Sequence, residues 1–299
     1  TVRFWAESAE PPVAGIGENP PTGALLYYYL PEKLDSFRLK LDILDAEGHP
    51  IRSYSNQPEQ DSVETYEGAP KPDPILPAKR GLNRFVWDLR REPIPGVPKV
   101  FILGAYQGST VPPGVYQLQL TTPYGILTRK LEVEPDPRIE AQAEDYHAQQ
   151  EILLQIEEAV RDIHLSVKSM RQVKAQVKNL RTNLKKADCT KELLEAGAAI
   201  VDSINAWEQQ LIQPKQQTFQ DVINYPNQLS AELMNLKQRI DGPLPVVNQG
   251  ARERLRDLLA DWSAYKAQMR KILKQDVGYF NKLYRTYEMP AIVIPMGAE

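Results

Sequence analysis

The distribution of proline is the feature that most constrains what this chain can fold into. Of the 25 prolines, 19 lie in residues 1–137 and 6 follow, and glycine divides as 11 and 5. Proline has no backbone N–H and breaks helix interiors, so the first part must consist of strands and loops, whereas the second can form helices. A chain of 299 residues is long enough for two cores. We therefore predict two domains, residues 1–137 and 138–299.

Residues 1–137 contain short segments in which apolar and polar residues alternate, as they do in half-buried strands. The clearest is a hairpin within residues 113–134, turned at Pro123-Tyr-Gly125. Proline-rich stretches at 56–80 and 90–111 are predicted to be irregular. About six or seven antiparallel strands favour an immunoglobulin- or fibronectin-like β-sandwich, with Trp87 and Tyr116 in its core. The other strand candidates are Ala24–Leu30, Phe37–Ile43, Ile51–Tyr54 and Phe85–Leu89.

Residues 138–299 show helical periodicity. The first helix is predicted to begin between Asp136 and Gln142 and to continue for more than 40 residues. Three further amphipathic segments, 193–211, 229–240 and 249–287, complete an antiparallel bundle of about four helices. The seam of the first helix follows heptad spacing at Leu153, Ile156, Val160, Ile163, Val167, Met170, Val173, Val177, Leu180 and Leu184.

A row of basic residues, here called the cationic stripe, follows that seam. It offers a surface for phosphates, acidic glycans or an acidic protein partner. The alternative, which we favour, is a flank that pairs with acidic residues of neighbouring helices, such as Glu192, Glu195, Asp202 and Glu208. The stripe consists of Lys168, Arg171, Lys174, Lys178, Arg181 and Lys185.

Charge and composition exclude several classes of protein. The net charge of −3 divides into −4 for residues 1–137 and +1 for the remainder, and the stripe has no interleaved aromatic residues, so we predict no nucleic-acid partner. No apolar run approaches the roughly 20 residues that span a bilayer, which predicts no membrane insertion. The single cysteine, Cys189, excludes an internal disulfide and a thiolate metal site.

No catalytic, cofactor or metal constellation is recognisable. Glu144 and His147 have the spacing of one half of a di-iron motif, but Arg161 stands where His164 would need a glutamate. His49 is expected at a hairpin turn, where histidine is usually a surface residue. A glycoside hydrolase requires two carboxylates at a set separation, and sequence alone does not show such a pair. We predict a chain that is not itself an enzyme and holds no cofactor.

Exposed aromatic residues are the remaining candidates for a ligand site. Tyr27–Tyr29 or Tyr106 could provide a platform on which sugar rings stack. Alternate members of a tyrosine run must face inward, so packing in the core or at its rim is the favoured interpretation. Carbohydrate therefore stays a possible partner.

Five motifs follow one another along the first part of the chain. They are Gly17-Glu-Asn-Pro-Pro-Thr-Gly-Ala24 with the following Tyr27-Tyr-Tyr-Leu30, Leu41-Asp-Ile-Leu-Asp-Ala-Glu-Gly48, Gly81-Leu-Asn-Arg-Phe-Val-Trp-Asp-Leu-Arg90, Pro113-Gly-Val-Tyr116 and Val133-Glu-Pro-Asp-Pro-Arg138. In this order they resemble the C-terminal region of large bacterial proteins that carry a sortilin-like β-propeller and are often labelled glycosyl hydrolases of the BNR-repeat type. The similarity covers residues 14–138 and extends more loosely to Leu211–Tyr225 and to Met289-Pro-Ala-Ile292.

The resemblance implies an accessory region. In that family the propeller would carry any hydrolase activity or peptide binding, and this chain would support, orient or oligomerise it. It also implies export to the periplasm or the cell exterior. Our leading hypothesis is a non-catalytic structural and interaction region that contacts an upstream β-propeller or another protein. The alternatives are a carbohydrate-binding module and hydrolase activity of the chain itself.

Overall fold

The computed structural model describes residues 21–34, 37–57, 66–184 and 191–287. Strands and helices occupy separate parts of this chain, as the proline distribution predicts, which makes the fold α+β. The strands are β1 (Ala24–Leu30), β2 (Lys40–Leu44), β3 (Pro50–Ser55), β4 (Gly81–Trp87), β5 (Gly114–Thr122) and β6 (Gly125–Val133), and the helices are α1 (Ala143–Leu184), α2 (Lys191–Leu211), α3 (Leu229–Ile240), α4 (Gln249–Lys271) and α5 (Gly278–Thr286).

The strands form two antiparallel sheets, one of two strands in the order β1-β4 and one of four in the order β3-β2-β5-β6. The predicted hairpin is confirmed as β5 and β6, whose pairing runs from Gly114 opposite Val133 to Thr122 opposite Gly125. Gly125 has a φ of 125°, a conformation that side-chain-bearing residues rarely adopt, so the turn depends on this glycine.

Trp87 and Tyr116 lie in the core of the strand region, as predicted. Trp87 is fully buried, and its ring meets that of Tyr116 edge-on with the centroids 5.8 Å apart. Trp87 belongs to β4 and Tyr116 to β5, so side chains of both sheets share one core.

The helices follow the predicted periodicity. Helix α1 begins at Ala143, one residue after the latest predicted start. Its seam residues Ile156, Val160, Ile163 and Val167 are fully buried. α3 has the predicted bounds. The final segment is interrupted, because a π-helical stretch at Ile272–Val277 separates α4 from α5. A 3-10 helix at Phe219–Ile223 precedes α3. No helix in the described residues is both long and apolar enough to cross a membrane.

Residues 90–111, which we call the strap, cross from the strand region to the helices. The strap is irregular, as predicted. Most of its buried apolar side chains belong to the helical core, whereas Val111, its last residue, belongs to the strand core. The suggestion that Tyr106 could stack on a sugar is therefore wrong, since its side chain is 7% exposed and packs near His164. The strap residues buried among the helices are Ile94, Val97, Val100, Ile102 and Tyr106.

Candidate functional site

A buried polar seam fixes the strap on the helices. The carboxylate of Glu157, on α1, accepts a hydrogen bond of 2.5 Å from the backbone N–H of Ser109. Lys237, on α3, donates to the backbone carbonyl of Gln107, and its Nζ lies 3.4 Å from Oε1 of Glu157. Burial lowers the pKa of Lys237, while the nearby charge of Glu157 opposes that shift. Each buried charge is thus neutralised and also holds the strap backbone.

His164 joins three elements within this seam. Its Nδ1 lies 2.6 Å from the carbonyl oxygen of Pro95 in the strap, and its Nε2 lies 2.6 Å from Oγ of Ser230 in α3. A carbonyl only accepts, so Nδ1 carries the proton and Nε2 accepts from the Ser230 hydroxyl. Complete burial lowers the pKa of His164 to about 4, because desolvation disfavours the imidazolium. The ring is therefore neutral at pH 7 and is a structural link.

Two arginines of α1 hold further strap carbonyls. Arg161 donates to Pro93 at 3.1 Å, and Arg171 donates to Pro98 at 2.7 Å. Together with Pro95, these prolines direct their carbonyl groups toward α1. With the N–H of Ser109, which bonds Glu157, the strap binds side chains of α1 through its backbone at four positions.

Beside the strap is an open groove of about 1210 Å³. One wall is formed by β2 and β3, a second by the proline-rich stretch 66–75, and a third by strap residues 92–98. Arg161 and Lys168 of α1 complete the lining, so the groove lies where the strand region, the strap and the helices meet. We call this space the groove.

Basic side chains outnumber acidic ones among the described residues of the groove. Its carboxylates belong to Asp73 and Glu92, and both face the buried Arg52, at 2.5 Å from NH2 and 3.3 Å from NH1 respectively. These two negative charges are therefore already paired within the protein. The basic side chains that line the groove are Arg38, Lys40, Lys71, Arg161 and Lys168.

The structure divides the cationic stripe. Arg171 and Lys174 bind the buried carboxylate of Glu208 on α2 at 2.6 and 2.7 Å, the type of pairing that we favoured from the sequence. Lys168 instead lines the groove, and Lys178 is exposed.

The last two residues of the stripe lie elsewhere. Arg181 packs its aliphatic carbons beside Gly197 of α2, so close that a Cβ at Gly197 would lie 2.7 Å from Cδ of Arg181. Lys185 lies outside the described residues. The five described residues thus do not form one continuous surface: two are paired, one packs against α2, one lines the groove and one is exposed.

Sequence reasoning missed the other basic residues of the groove. Lys40 is in β2, Lys71 is in a proline-rich stretch, and Arg161 lies about two helical turns before Lys168, the first residue of the stripe. They come from separate segments with no shared spacing, so no local motif identifies them. Only the packing of the strap brings them together.

A second surface feature lies on the outer face of the two-stranded sheet. Tyr27 and Tyr29 are 58% and 69% exposed, and they alternate with inward-facing residues of β1. Opposite them on β4 are Arg84 and Leu82, of which Leu82 is 71% exposed. This tyrosine face is an exposed row of aromatic rings of the kind that a sugar platform requires, and neither tyrosine lines the groove.

Two further groups have the residue types of a metal site. Asp45, Glu47 and His49 lie together at the β2–β3 turn, where the three ligand atoms come within 4.8 Å of one another. One oxygen of Asp45 accepts the backbone N–H of His49 at 2.7 Å, so the carboxylate closes the turn. Glu144 and His147 are both exposed at the start of α1.

Comparisons of this chain with models of protein families, with curated proteins and with solved structures return no match.

Proposed function

We propose that this chain is a non-catalytic structural and interaction region, the accessory part of an exported periplasmic or extracellular protein that carries a β-propeller upstream. In this proposal the two sheets form an immunoglobulin- or fibronectin-like sandwich and the helices form an antiparallel bundle. Two observations support these finer assignments: side chains of both sheets share one core, and α1 contacts α2, α3 and α4.

The observation that carries the proposal is the polar seam between the strap and the helices. Replacing a buried ion pair by apolar residues is often neutral or stabilising, so burial of Glu157 and Lys237 is poorly explained by stability alone. Charged hydrogen bonds do, however, require a particular geometry. A seam of this kind sets how the strand region and the helices are oriented, which is what a support for another domain needs.

The groove also argues for binding rather than hydrolysis. A glycoside hydrolase requires one carboxyl group that donates a proton and another that acts as nucleophile or base. Asp73 and Glu92 instead both pair with the guanidinium group of Arg52. The described carboxylates of the groove are therefore already engaged by the protein's own arginine, which is not the arrangement of a catalytic pair.

The proposal is tested by mixing the purified chain with a separately purified β-propeller encoded upstream in the same gene. We expect a stable complex by sedimentation velocity. Backbone amide relaxation measured by NMR should give one correlation time for the strand region and the helices. Failure to form a complex would contradict the accessory role, and two independent correlation times would contradict the rigid support.

A carbohydrate-binding module is the second candidate, and the tyrosine face favours it. Tyr27 and Tyr29 offer two exposed rings on one side of β1, and aromatic rings bury the apolar faces of sugars. Retardation in native gels that contain xylan, soluble glucan or glycol chitin would detect such binding. We expect Tyr27→Ala together with Tyr29→Ala to abolish the retardation.

The matched control is Tyr279→Ala, which removes a tyrosine that is 49% exposed on α5, far along the chain from β1. It should leave the retardation unchanged. If the wild-type chain is not retarded by any of the three polymers, the carbohydrate candidate fails, and the structural role is unaffected.

A further inference from the structure

We propose that the groove binds an extended acidic peptide segment, through its basic side chains and through the outer edge of β3. This inference goes beyond the proposed function, because it assigns a binding site and a ligand chemistry. It does not depend on the identity of an upstream domain. It also does not involve the tyrosine face.

The first argument is charge. Asp73 and Glu92 are paired with Arg52, whereas Lys71 and Lys168 have no ion-pair partner among the described residues. The hydrogen bond to the carbonyl of Pro93 holds the Arg161 side chain in place at the groove, so a ligand that binds it pays little side-chain entropy. A ligand that brings carboxylates would neutralise an excess of positive charge that the described chain leaves uncompensated.

The second argument is the backbone of β3. The backbone N–H of Asn56 donates to the carbonyl of Leu39. Because bonded and non-bonded positions alternate along an antiparallel pair, Tyr54 and Arg52 are the residues of β3 whose backbone groups bond β2. The backbone groups of Ile51, Ser53 and Ser55 must therefore point to the outer edge of the sheet.

Two of those three residues already use their outward-facing carbonyl group in a backbone hydrogen bond. The carbonyl of Ile51 accepts the N–H of Glu92 at 3.0 Å, and the carbonyl of Ser55 accepts the N–H of Leu76 at 3.0 Å. Ser53 lies between them and lines the groove, and no backbone group in the described part of the chain pairs with its outward N–H and C=O. An extended peptide supplies the donor and the acceptor that such an edge position binds.

The opposite wall suits the same ligand. The carbonyls of Pro93, Pro95 and Pro98 are directed at α1, and proline has no N–H, so the strap presents pyrrolidine rings to the groove. A volume of about 1210 Å³ exceeds the roughly 300–1,000 Å³ of small-molecule pockets, which favours a chain segment.

An acidic oligosaccharide would also bring carboxylates, but neither aromatic residue of the described groove lining has a broadly exposed ring, since Tyr66 is half-buried. Tyr54 is only 3% exposed, and its ring packs against Phe85 and beneath Arg52. The described aromatic residues with broadly exposed rings on one sheet face are those of the tyrosine face. The peptide is therefore the better match.

The test is fluorescence anisotropy with fluorescein-labelled hexaglutamate as the probe and labelled hexaglutamine as the uncharged reference. We expect hexaglutamate alone to bind at about 20 mM salt and to lose most of its affinity at about 1 M salt, where the screening length falls to roughly 3 Å. Amide hydrogen exchange at Ser53 should slow when the probe is saturating.

The informative variant is Lys71→Gln with Lys168→Gln, since neither side chain makes an ion pair within the described residues and the two come from different walls. It should raise the dissociation constant about tenfold, as expected for two partly exposed ion pairs. Lys178→Gln removes the same charge from an exposed position of the same helix and should leave the constant unchanged. Circular dichroism verifies that each variant is folded.

Three results would overturn the inference. The first is that hexaglutamate does not bind at low salt. The second is that it binds the double variant and Lys178→Gln with the same affinity, which would place binding elsewhere. A labelled galacturonate oligomer that binds more tightly than hexaglutamate, and that also loses affinity in the double variant, would assign the groove to a glycan.

Discussion

Glu157 and Lys237 form an ion pair between α1 and α3, with Oε1 and Nζ 3.4 Å apart and the side chains 8% and 3% exposed. Each member also bonds the strap, Glu157 at the N–H of Ser109 and Lys237 at the carbonyl of Gln107. The pair therefore contacts three segments that are remote in sequence. Loss of either charge leaves the other buried without a partner.

We expect Glu157→Ala to lower the free energy of unfolding by about 3 kcal/mol, the cost of leaving one buried charge unpaired. The double variant Glu157→Leu with Lys237→Met should cost less than the sum of Glu157→Leu alone and Lys237→Met alone, because it removes both charges. Urea denaturation of the wild type, these two single variants and the double variant measures this coupling. Glu158→Ala, at the exposed neighbouring position, is the control and should change stability by less than about 0.5 kcal/mol. Additive effects would show that the pair is not coupled.

His164 predicts a loss of stability in acid. Its pKa is about 4 in the folded chain against 6.5 in the unfolded one, so the unfolded state binds the proton more readily. The neutral His164 ring contributes about 3 kcal/mol to the free energy of unfolding. This contribution is complete above about pH 6.5 and is lost as the pH falls toward 4. Urea midpoints between about pH 7 and pH 4 should fall less steeply for His164→Gln than for the wild type. Equal slopes would mean that His164 is not buried as a neutral ring.

The divided cationic stripe predicts unequal effects of similar substitutions. Arg171→Gln removes a contact to Glu208, whose side chain is 4% exposed, and a hydrogen bond to the strap, so we expect a loss of about 2 kcal/mol. Lys178→Gln, at an exposed position, should lie within about 0.5 kcal/mol of the wild type. Thermal unfolding followed by circular dichroism is sufficient to separate them. If both are neutral, the pairing with Glu208 does not contribute to stability.

Gly104 predicts a packing constraint between the strap and α3. Its φ is 152°, and a Cβ there would lie 2.6 Å from Cβ of Met234. Gly104→Ala therefore combines an unfavourable backbone conformation with a steric clash, and we expect a loss of about 2 kcal/mol or more. Gly242→Ala is the matched control, because a Cβ at Gly242 meets nothing within 4 Å and its φ is not in the left-handed range. A neutral Gly104→Ala would show that the strap can move away from α3.

Local patterns in the sequence were sufficient for the secondary structure and for much of the core. Proline excluded helix from the first part, alternation located the β5–β6 hairpin, and heptad spacing selected the buried face of α1. Each of these signals depends on backbone geometry within one segment. That is why Trp87 and Val160 could be assigned to a core from sequence, and why the bounds of α3 were correct.

The strap shows what local patterns do not contain. Ile94, Val97 and Val100 recur at every third residue in a proline-rich stretch that forms neither a strand nor a helix, so their spacing does not indicate that their side chains enter the helical core. The same is true of the tyrosine run, where alternation alone did not decide whether Tyr27 or Tyr28 faces the solvent. These outcomes depend on which surface lies opposite, and that is a property of the whole fold.

Length, proline distribution and hydrophobic period thus determined by themselves that this protein combines antiparallel strands with a long helix and its shorter neighbours. Only the tertiary structure decided that the strap crosses to the helices, that Glu208 pairs with two residues of the stripe, and that Lys168 and Lys71 line the same groove. The physical reason is the range of the interactions. Periodicity reports the geometry of neighbouring residues, whereas the groove and the buried seam join side chains that lie far apart in sequence.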